Sequence, residues 1–150
     1  MKLSFVIPGS PVAKARARVF YNKSLGRAMA YTPTKTASYE NFIKLIAAQE
    51  WPHPPMTEPI HMSIKVYRST PKSLSNKKVN LAELGHIRPT SKPDCDNYLK
   101  SICDALNNLV FKDDSQVVSV KIEKFYSAFP RTEIEIEGIE NTEIDFCLPA

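Results

Sequence analysis

Two aspartates separated by one residue, Asp94 and Asp96, are the side chains in this sequence best suited to bind a metal ion. They stand where an amphipathic helix is predicted to begin, and Lys100 follows Asp96 by one helical turn. Carboxylate oxygens are the ligands that hard divalent cations prefer in proteins. A lysine beside them adds a positive charge that suits chemistry on a phosphate. The pattern predicts a metal site that acts on phosphate esters.

Helix capping is a second explanation for the same two aspartates. Aspartate is favoured at helix N-termini because it accepts hydrogen bonds from unpaired backbone N–H groups and complements the helix dipole. Lys100 and Asp104 likewise have the spacing of an ordinary helical ion pair. Two features favour a metal site instead. Asn97 extends the polar stripe of the helix, and two adjacent carboxylates, Asp113 and Asp114, follow directly before a predicted strand.

A third carboxylate from this adjacent pair would complete an oxygen-rich site. Three converging carboxylates repel one another, and their pKa values rise, unless a cation such as Mg²⁺ is bound between them. The cation would polarise a phosphodiester and lower the pKa of a water molecule, which makes that water a nucleophile near neutral pH. Lys100 is then expected to orient the scissile phosphate or to neutralise the charge that develops on it.

The net charge of +4 conceals a strong asymmetry along the chain. Residues 1–93 carry fifteen Lys or Arg and four Asp or Glu, whereas residues 94–150 carry five and twelve. Lys14, Arg16 and Arg18 alternate with alanines, so in an extended chain their side chains project to one side. We expect these three residues to contact the phosphates of a polyanion such as DNA.

The elements that position these residues follow from hydrophobic periodicity. A second helix is predicted from an apolar stripe that runs from Leu99 to Val110. The last two strands flank the turn 128–130 and are predicted to form a hairpin. The order β-α-β-α-β-β indicates a single α+β domain, a small mixed sheet with helices on one face. The other predicted elements are strands at 3–7, 60–66, 118–122 and 134–136 and a first helix at 36–50.

A long basic connection, residues 69–93, joins the second predicted strand to the second helix. Ser75 is expected to cap a short helix within it that ends before Gly85. Connections of this length are uncommon in compact domains and are often functional. Lys92, at its end, is therefore a further expected contact with DNA.

Length and composition limit the other classes of protein. One domain, residues 1–150 with a tail at 139–150, is expected for this length. Three cysteines without C-x-x-C spacing disfavour a disulfide framework or a zinc site, and Cys103 is expected in the core. No stretch approaches the roughly 18 apolar residues of a membrane span, and the N-terminal apolar run is too short for a signal peptide. A cytoplasmic location is expected.

Three segments carry a family resemblance: Lys92-Pro93-Asp94-x-Asp96-Asn97-x-x-Lys100, Asp104-Ala105-Leu106-Asn107 and Asp113-Asp114-x-Gln116-Val117. Together they resemble the RusA family of Holliday junction resolvases. Two segments nearer the N-terminus resemble those common in phage and prophage members, namely Pro11-Val12-x-Lys14-x-Arg16-x-Arg18 and Tyr31-Thr32-Pro33.

The resemblance implies a Mg²⁺-dependent endodeoxyribonuclease, with Mn²⁺ as an expected substitute. It also implies a homodimer that makes paired symmetric nicks in four-way DNA junctions during recombination and repair. By motif position, the metal-binding carboxylates and the essential lysine correspond to Asp94, Asp96, Asp114 and Lys100. Supporting positions correspond to Asp113, Asp104 and Asn97.

Two other classes of protein stay open on the sequence. One is a DNA-binding module without catalysis, in which the aspartates only cap the helix and pair with lysine. Exchange of Asp96 for Asn separates it from a nuclease, because only a nuclease loses an activity. The other is an Asp-x-Asp transferase, which the chain disfavours because it shows no nucleotide-binding half.

Overall fold

The computed structural model describes residues 1–15, 18–31 and 33–140 of the chain. The predicted α+β class and single-domain arrangement are confirmed, and a short hairpin that periodicity did not indicate is added after the first strand. The elements are β1 (Lys2–Pro8), β2 (Arg18–Asn22), β3 (Arg27–Tyr31), α1 (Thr34–Glu50), β4 (Ile60–Ser69), α2 (Asn76–Glu83), α3 (Cys95–Leu106), β5 (Val117–Ser127) and β6 (Arg131–Gly138). No helix in these ranges has the length and apolar character needed to cross a membrane.

Four strands form a mixed sheet in the order β1-β6-β4-β5, in which β5 runs parallel to β4 and the other pairs are antiparallel. The predicted hairpin of β5 and β6 is therefore wrong, because β4 lies between them. Inward residues of β4 and β6 are buried, whereas Val118 of β5 is 63% exposed. In the sheet, β4 and β6 each have a neighbouring strand on both sides, and β5 is an edge strand. The short turn between β5 and β6 therefore does not decide which strands pair.

The core lies between this sheet and the two main helices. Alternate residues of β1, β4 and β6 point into it, as the period-two pattern predicts. A buried hydrogen bond of 2.9 Å joins the hydroxyls of Tyr39 on α1 and Thr132 on β6. Cys103 is buried, as predicted, and burial raises the pKa of its thiol to about 11. The core thus fixes α1 and α3 against one face of the sheet.

Helix α3 is shorter than its apolar stripe predicts. It ends at Leu106, and Asn108 has a positive φ of 61°, a conformation that asparagine tolerates better than most residues. Val110 is still buried, but it leaves the helix and accepts a backbone hydrogen bond from Met56. Its burial comes from contact with the chain before β4, which helical periodicity cannot distinguish from a longer helix.

The basic connection after β4 crosses to the other face of the sheet. Ser75 caps α2 by accepting a hydrogen bond from the backbone N–H of Lys78, and α2 ends before Gly85, as predicted. Further on, Arg88 lies 4.2 Å above the ring of Phe125 and pairs with Glu123 at 3.0 Å. These contacts hold the connection to β5 before it returns to α3.

Candidate active site

The N-terminus of α3 presents two carboxylates to solvent. Asp94 is the N-cap residue in an extended conformation, and Asp96 lies in the first turn. The Asp94 carboxylate makes no capping hydrogen bond, and within the described ranges neither aspartate has an ion pair or a side-chain hydrogen bond. Hydrogen-bonded capping therefore does not occupy these oxygens, which stay available to a ligand.

Lys100 lies one turn further along α3 and pairs with two carboxylates. Its Nζ is 3.0 Å from Oδ1 of Asp104 and 3.9 Å from Oδ2 of Asp114. The hydrogen bond to Asp104, followed by the charge of Asp104, raises the pKa of Lys100 above its ordinary value. Lys100 is therefore an ammonium ion at neutral pH, and the fold brings Asp114 beside it from the start of β5.

The adjacent aspartates before β5 have different environments. The Asp113 carboxylate accepts a hydrogen bond from the Ser115 hydroxyl, and the Gln116 side chain accepts one from the Asp113 backbone N–H at 2.9 Å. Together they cap the short 3₁₀ helix Asp114–Gln116. The Ser115 hydrogen bond lowers the pKa of Asp113. Asp113 thus stabilises the turn, while Asp114 is directed at Lys100.

The chemistry of the donors suits a hard cation, although the three predicted ligands do not form one cluster. Across the residues that the structure describes, no three His, Cys, Asp or Glu side chains are grouped closely enough to hold a metal ion. Mg²⁺ at phosphate-processing sites commonly uses one or two carboxylates together with water and substrate oxygens. The unpartnered oxygens of Asp94 and Asp96 fit that requirement.

Lys14, predicted as a DNA contact, bridges α1 and α3 through its side chain. Its Nζ lies 2.8 Å from Glu40 and 3.1 Å from Asp104, and the side chain is only 24% exposed. Burial lowers the pKa of Lys14, but the hydrogen bonds to Glu40 and Asp104 outweigh it and the net shift is upward. A phosphate would have to compete with two carboxylates for this amine, so its DNA contact stays a prediction.

The other two basic residues near the N-terminus were predicted to lie beside Lys14. Arg18 is the first residue of β2. Arg16 lies outside the described residues, so their contacts with DNA also stay predictions.

A basic groove of about 890 Å³ opens between the segment after β1 and the N-terminus of α3. Asn97 lines it next to the two aspartates, and Lys92 lines it as well. No Asp or Glu is among the lining residues that the described ranges contribute. Its basic lining residues are Lys14, Lys35, Arg68 and Lys92. The groove therefore offers a path for a negatively charged chain that reaches Asn97 on α3, next in sequence to the predicted metal ligand Asp96.

Two basic side chains that the sequence did not single out hold residues 91–93, the segment just before Asp94. Arg68, at the end of β4, donates to the Ser91 hydroxyl at 3.1 Å and to the Lys92 carbonyl at 3.3 Å. Lys124 of β5 donates to the carbonyls of Ser91 and Pro93 at 2.9 and 3.0 Å. A signal was present, because both residues continue the inward period of their strands, where an apolar side chain is expected.

Replacement of Lys124 by Met is expected to lower the cleavage rate about tenfold without weakening DNA binding, because small misplacements of catalytic groups are costly. Lys124 acts here as a positioning residue, so the loss should fall on kcat and not on KM, and Lys124→Arg should restore part of it. Lys121→Met is the matched control, since Lys121 is on the same strand but its ammonium group pairs, among the described residues, with Glu123 alone, at 3.6 Å. Equal losses in both Met variants would contradict the prediction.

Comparison with known proteins gives a match over most of the chain. The family model described as "Endodeoxyribonuclease RusA" matches residues 8–137. An uncharacterized protein of Bacillus subtilis (strain 168), YqaN, is 45% identical over 139 residues, which cover 91% of this chain and 96% of that protein. The matched region includes the aspartates of α3, the pair before β5 and the basic groove.

Proposed function

We propose that this chain is a metal-dependent nuclease which resolves four-way DNA junctions in recombination and repair. The chain belongs to the RusA family of endodeoxyribonucleases. The observation that carries the proposal is the pair of unpartnered carboxylates, Asp94 and Asp96, on the helix that also presents Lys100. Asp114 faces Lys100 from the short 3₁₀ helix before β5. The proposed metal-binding and phosphate-binding side chains are thus carried by α3 and by the turn before β5, and Asn97 of α3 lines the basic groove.

In this mechanism Asp94 and Asp96 would hold a divalent cation, Mg²⁺ with Mn²⁺ as a substitute, together with water and substrate oxygens. Asp114, which does not cluster with them in the structure, is the proposed third carboxylate. When bound, the cation polarises the scissile phosphate and acidifies a water molecule. Lys100 binds a phosphate oxygen and neutralises the negative charge that grows in the transition state. Its raised pKa means that it acts as a cation and does not accept a proton.

DNA follows the groove to this site. Lys35 and Lys92 are exposed at its lining and contact the sugar–phosphate backbone. Such contacts fix the position of the substrate and carry no base sequence. The side chain of Asn97, between Lys92 and Lys100 in sequence, binds the same strand near the metal ligands.

Paired symmetric nicks require two sites related by the symmetry of the junction. A homodimer with a two-fold axis supplies them, and this is the commonest symmetry of protein oligomers. We therefore include a dimer in the proposal, to be measured by light scattering in solution and in the presence of a junction.

A cleavage assay with mapped nicks tests the proposal. Synthetic four-way junctions, flaps and linear duplexes are incubated with the protein and Mg²⁺, Mn²⁺ or a chelator. Paired nicks at symmetric positions of the junction are expected with either metal, and no nicks with the chelator. Asp96→Asn should remove cleavage while junction binding remains. Intact DNA under every metal condition would refute the nuclease and favour a non-catalytic DNA-binding module.

A further inference from the structure

The hairpin of β2 and β3 is a two-stranded ribbon, and the side chains that the structure describes in it, at 19–30, are almost all exposed. Within 19–30, every residue is exposed except Asn22 and Met29, which are half-buried. Isolated two-stranded hairpins are marginally stable, so such a ribbon is normally covered by something else. The exposed side chains of the hairpin are therefore accessible to a binding partner.

One face of this hairpin is apolar and fully open. Val19 and Tyr21 share the face, and their cross-strand partners are Ala30 and Ala28. Val19 is 70% exposed and Tyr21 is 65% exposed. Because the directly opposite residues are alanines, their short side chains leave the tyrosine ring largely exposed. An exposed aromatic on a flat apolar surface is a platform on which another planar group can stack.

The charge of the hairpin identifies the kind of partner. Arg18, Lys23 and Arg27 lie within it, and residues 1–39 contain no Asp or Glu at all. Positive charge interleaved with an exposed aromatic is the combination by which proteins bind single-stranded nucleic acid, where bases stack and phosphates pair. A second copy of the same hairpin fits poorly, because two ribbons of like charge repel.

The hairpin is attached at the entrance of the basic groove. Lys14, just before it, donates its backbone N–H to the Asn97 carbonyl at 3.0 Å, and Ala15 donates to the Thr36 hydroxyl at 3.3 Å. Ala15 and Pro33, on the two sides of the hairpin, both line the groove. A DNA strand lying in the groove therefore passes the base of the hairpin.

We propose that the β2–β3 hairpin is a DNA-binding arm that recognises unpaired or unstacked bases at the branch point of a junction. Tyr21 stacks on an exposed base, and Lys23, in the adjoining turn, binds a neighbouring phosphate, while Arg27, which pairs with Asn22 on the opposite face, adds to the positive charge of the arm. The proposal deepens the proposed function and rests on it for the identity of the substrate. A fully paired duplex offers no free base face, so the arm distinguishes branched DNA from linear DNA.

The test measures binding separately from cleavage, in the Asp96→Asn background, by fluorescence anisotropy with a four-way junction and a linear duplex. Tyr21→Ala should weaken junction binding about tenfold and leave duplex binding within about twofold, since stacking one base is worth roughly 1–3 kcal/mol. Tyr21→Phe keeps the ring and should retain the affinity. Phe42→Ala, which removes a part-exposed aromatic on α1, is the control and should change neither.

The charges of the arm give a second readout. Lys23→Ala should weaken binding to both substrates alike and reduce the slope of log K against log salt by about one. Arg27→Ala, on the face opposite Tyr21, should reduce that slope less. Equal weakening of both substrates by Tyr21→Ala, or no weakening, would overturn the proposed stacking. If the Tyr21→Ala variant has a different oligomeric mass in solution and an unchanged affinity for DNA, the arm is instead an interface between copies of the chain.

The outcomes separate this proposal from the proposed nuclease. If wild-type protein never cuts DNA but Tyr21→Ala loses junction binding, the arm proposal stands and the nuclease proposal fails. If wild-type protein cuts junctions and Tyr21→Ala binds them normally, the reverse holds.

Discussion

Replacement of Asp114 by Asn is expected to lower the rate of junction cleavage by a factor of about 100 to 1000, the scale of losing one preorganised electrostatic group. The Asp114 carboxylate faces Lys100 at 3.9 Å, so the substitution removes both a proposed metal ligand and the partner of the proposed phosphate-binding cation. The measurement is the single-turnover rate on a four-way junction at saturating protein, with binding followed separately.

The adjacent aspartate provides a matched control. Asp113→Asn makes the same chemical change one residue away, but the Asp113 carboxylate caps a turn through Ser115. It should lower the free energy of unfolding slightly, because a cap is lost, and leave the cleavage rate unchanged. If both variants lose cleavage equally, or if only Asp113→Asn does, the assignment of the two aspartates is wrong.

Replacement of Lys100 by Met is expected to lower the cleavage rate by a similar factor while junction affinity changes little. The reason is that Lys100 contributes one charge among many to binding, whereas its ammonium lies beside Asp114 where charge develops. Lys112→Met is a suitable control, because it removes an exposed lysine two residues before Asp114. Loss of affinity in proportion to rate would indicate a role in binding alone.

The pH dependence of this loss is a sharper test. Asp104 raises the pKa of Lys100, so its positive charge is fully present below that raised pKa and is lost only as the pH rises through it. The ratio of wild-type to Lys100→Met rates should therefore stay constant between about pH 6 and 9. A ratio that rises with pH across this range would show that Lys100 acts as a base, which contradicts the proposed mechanism.

Several elements could be predicted because their signals are local. The inward alternation of Ile60, Met62 and Ile64 marks β4, and Ser75 with Gly85 marks the limits of α2. The order of strands in the sheet could not be predicted in this way. The order depends on which strands lie side by side, and the residues of β5 and β6 do not show that β4 lies between them.

In the candidate site, too, some features could be predicted from local sequence and others could not. Spacing alone places Asp94, Asp96 and Lys100 together, because one helix start carries all three. Spacing does not distinguish Asp113 from Asp114, since adjacent residues differ only in the neighbours that the fold gives them. The roles of Lys14 and Lys124 were also invisible, because their partners lie on other elements.

The sequence by itself determined the chemistry of this protein: the carboxylates, the lysine and the excess of positive charge on its N-terminal part. The tertiary structure decided how these groups are used. It placed Asp114 beside Lys100 and paired the Lys14 ammonium group with Glu40 and Asp104. It also left most of residues 19–30 in the β2–β3 hairpin exposed. The physical reason is that donor type is a property of a single residue, whereas partnership and burial depend on residues brought together from distant parts of the chain.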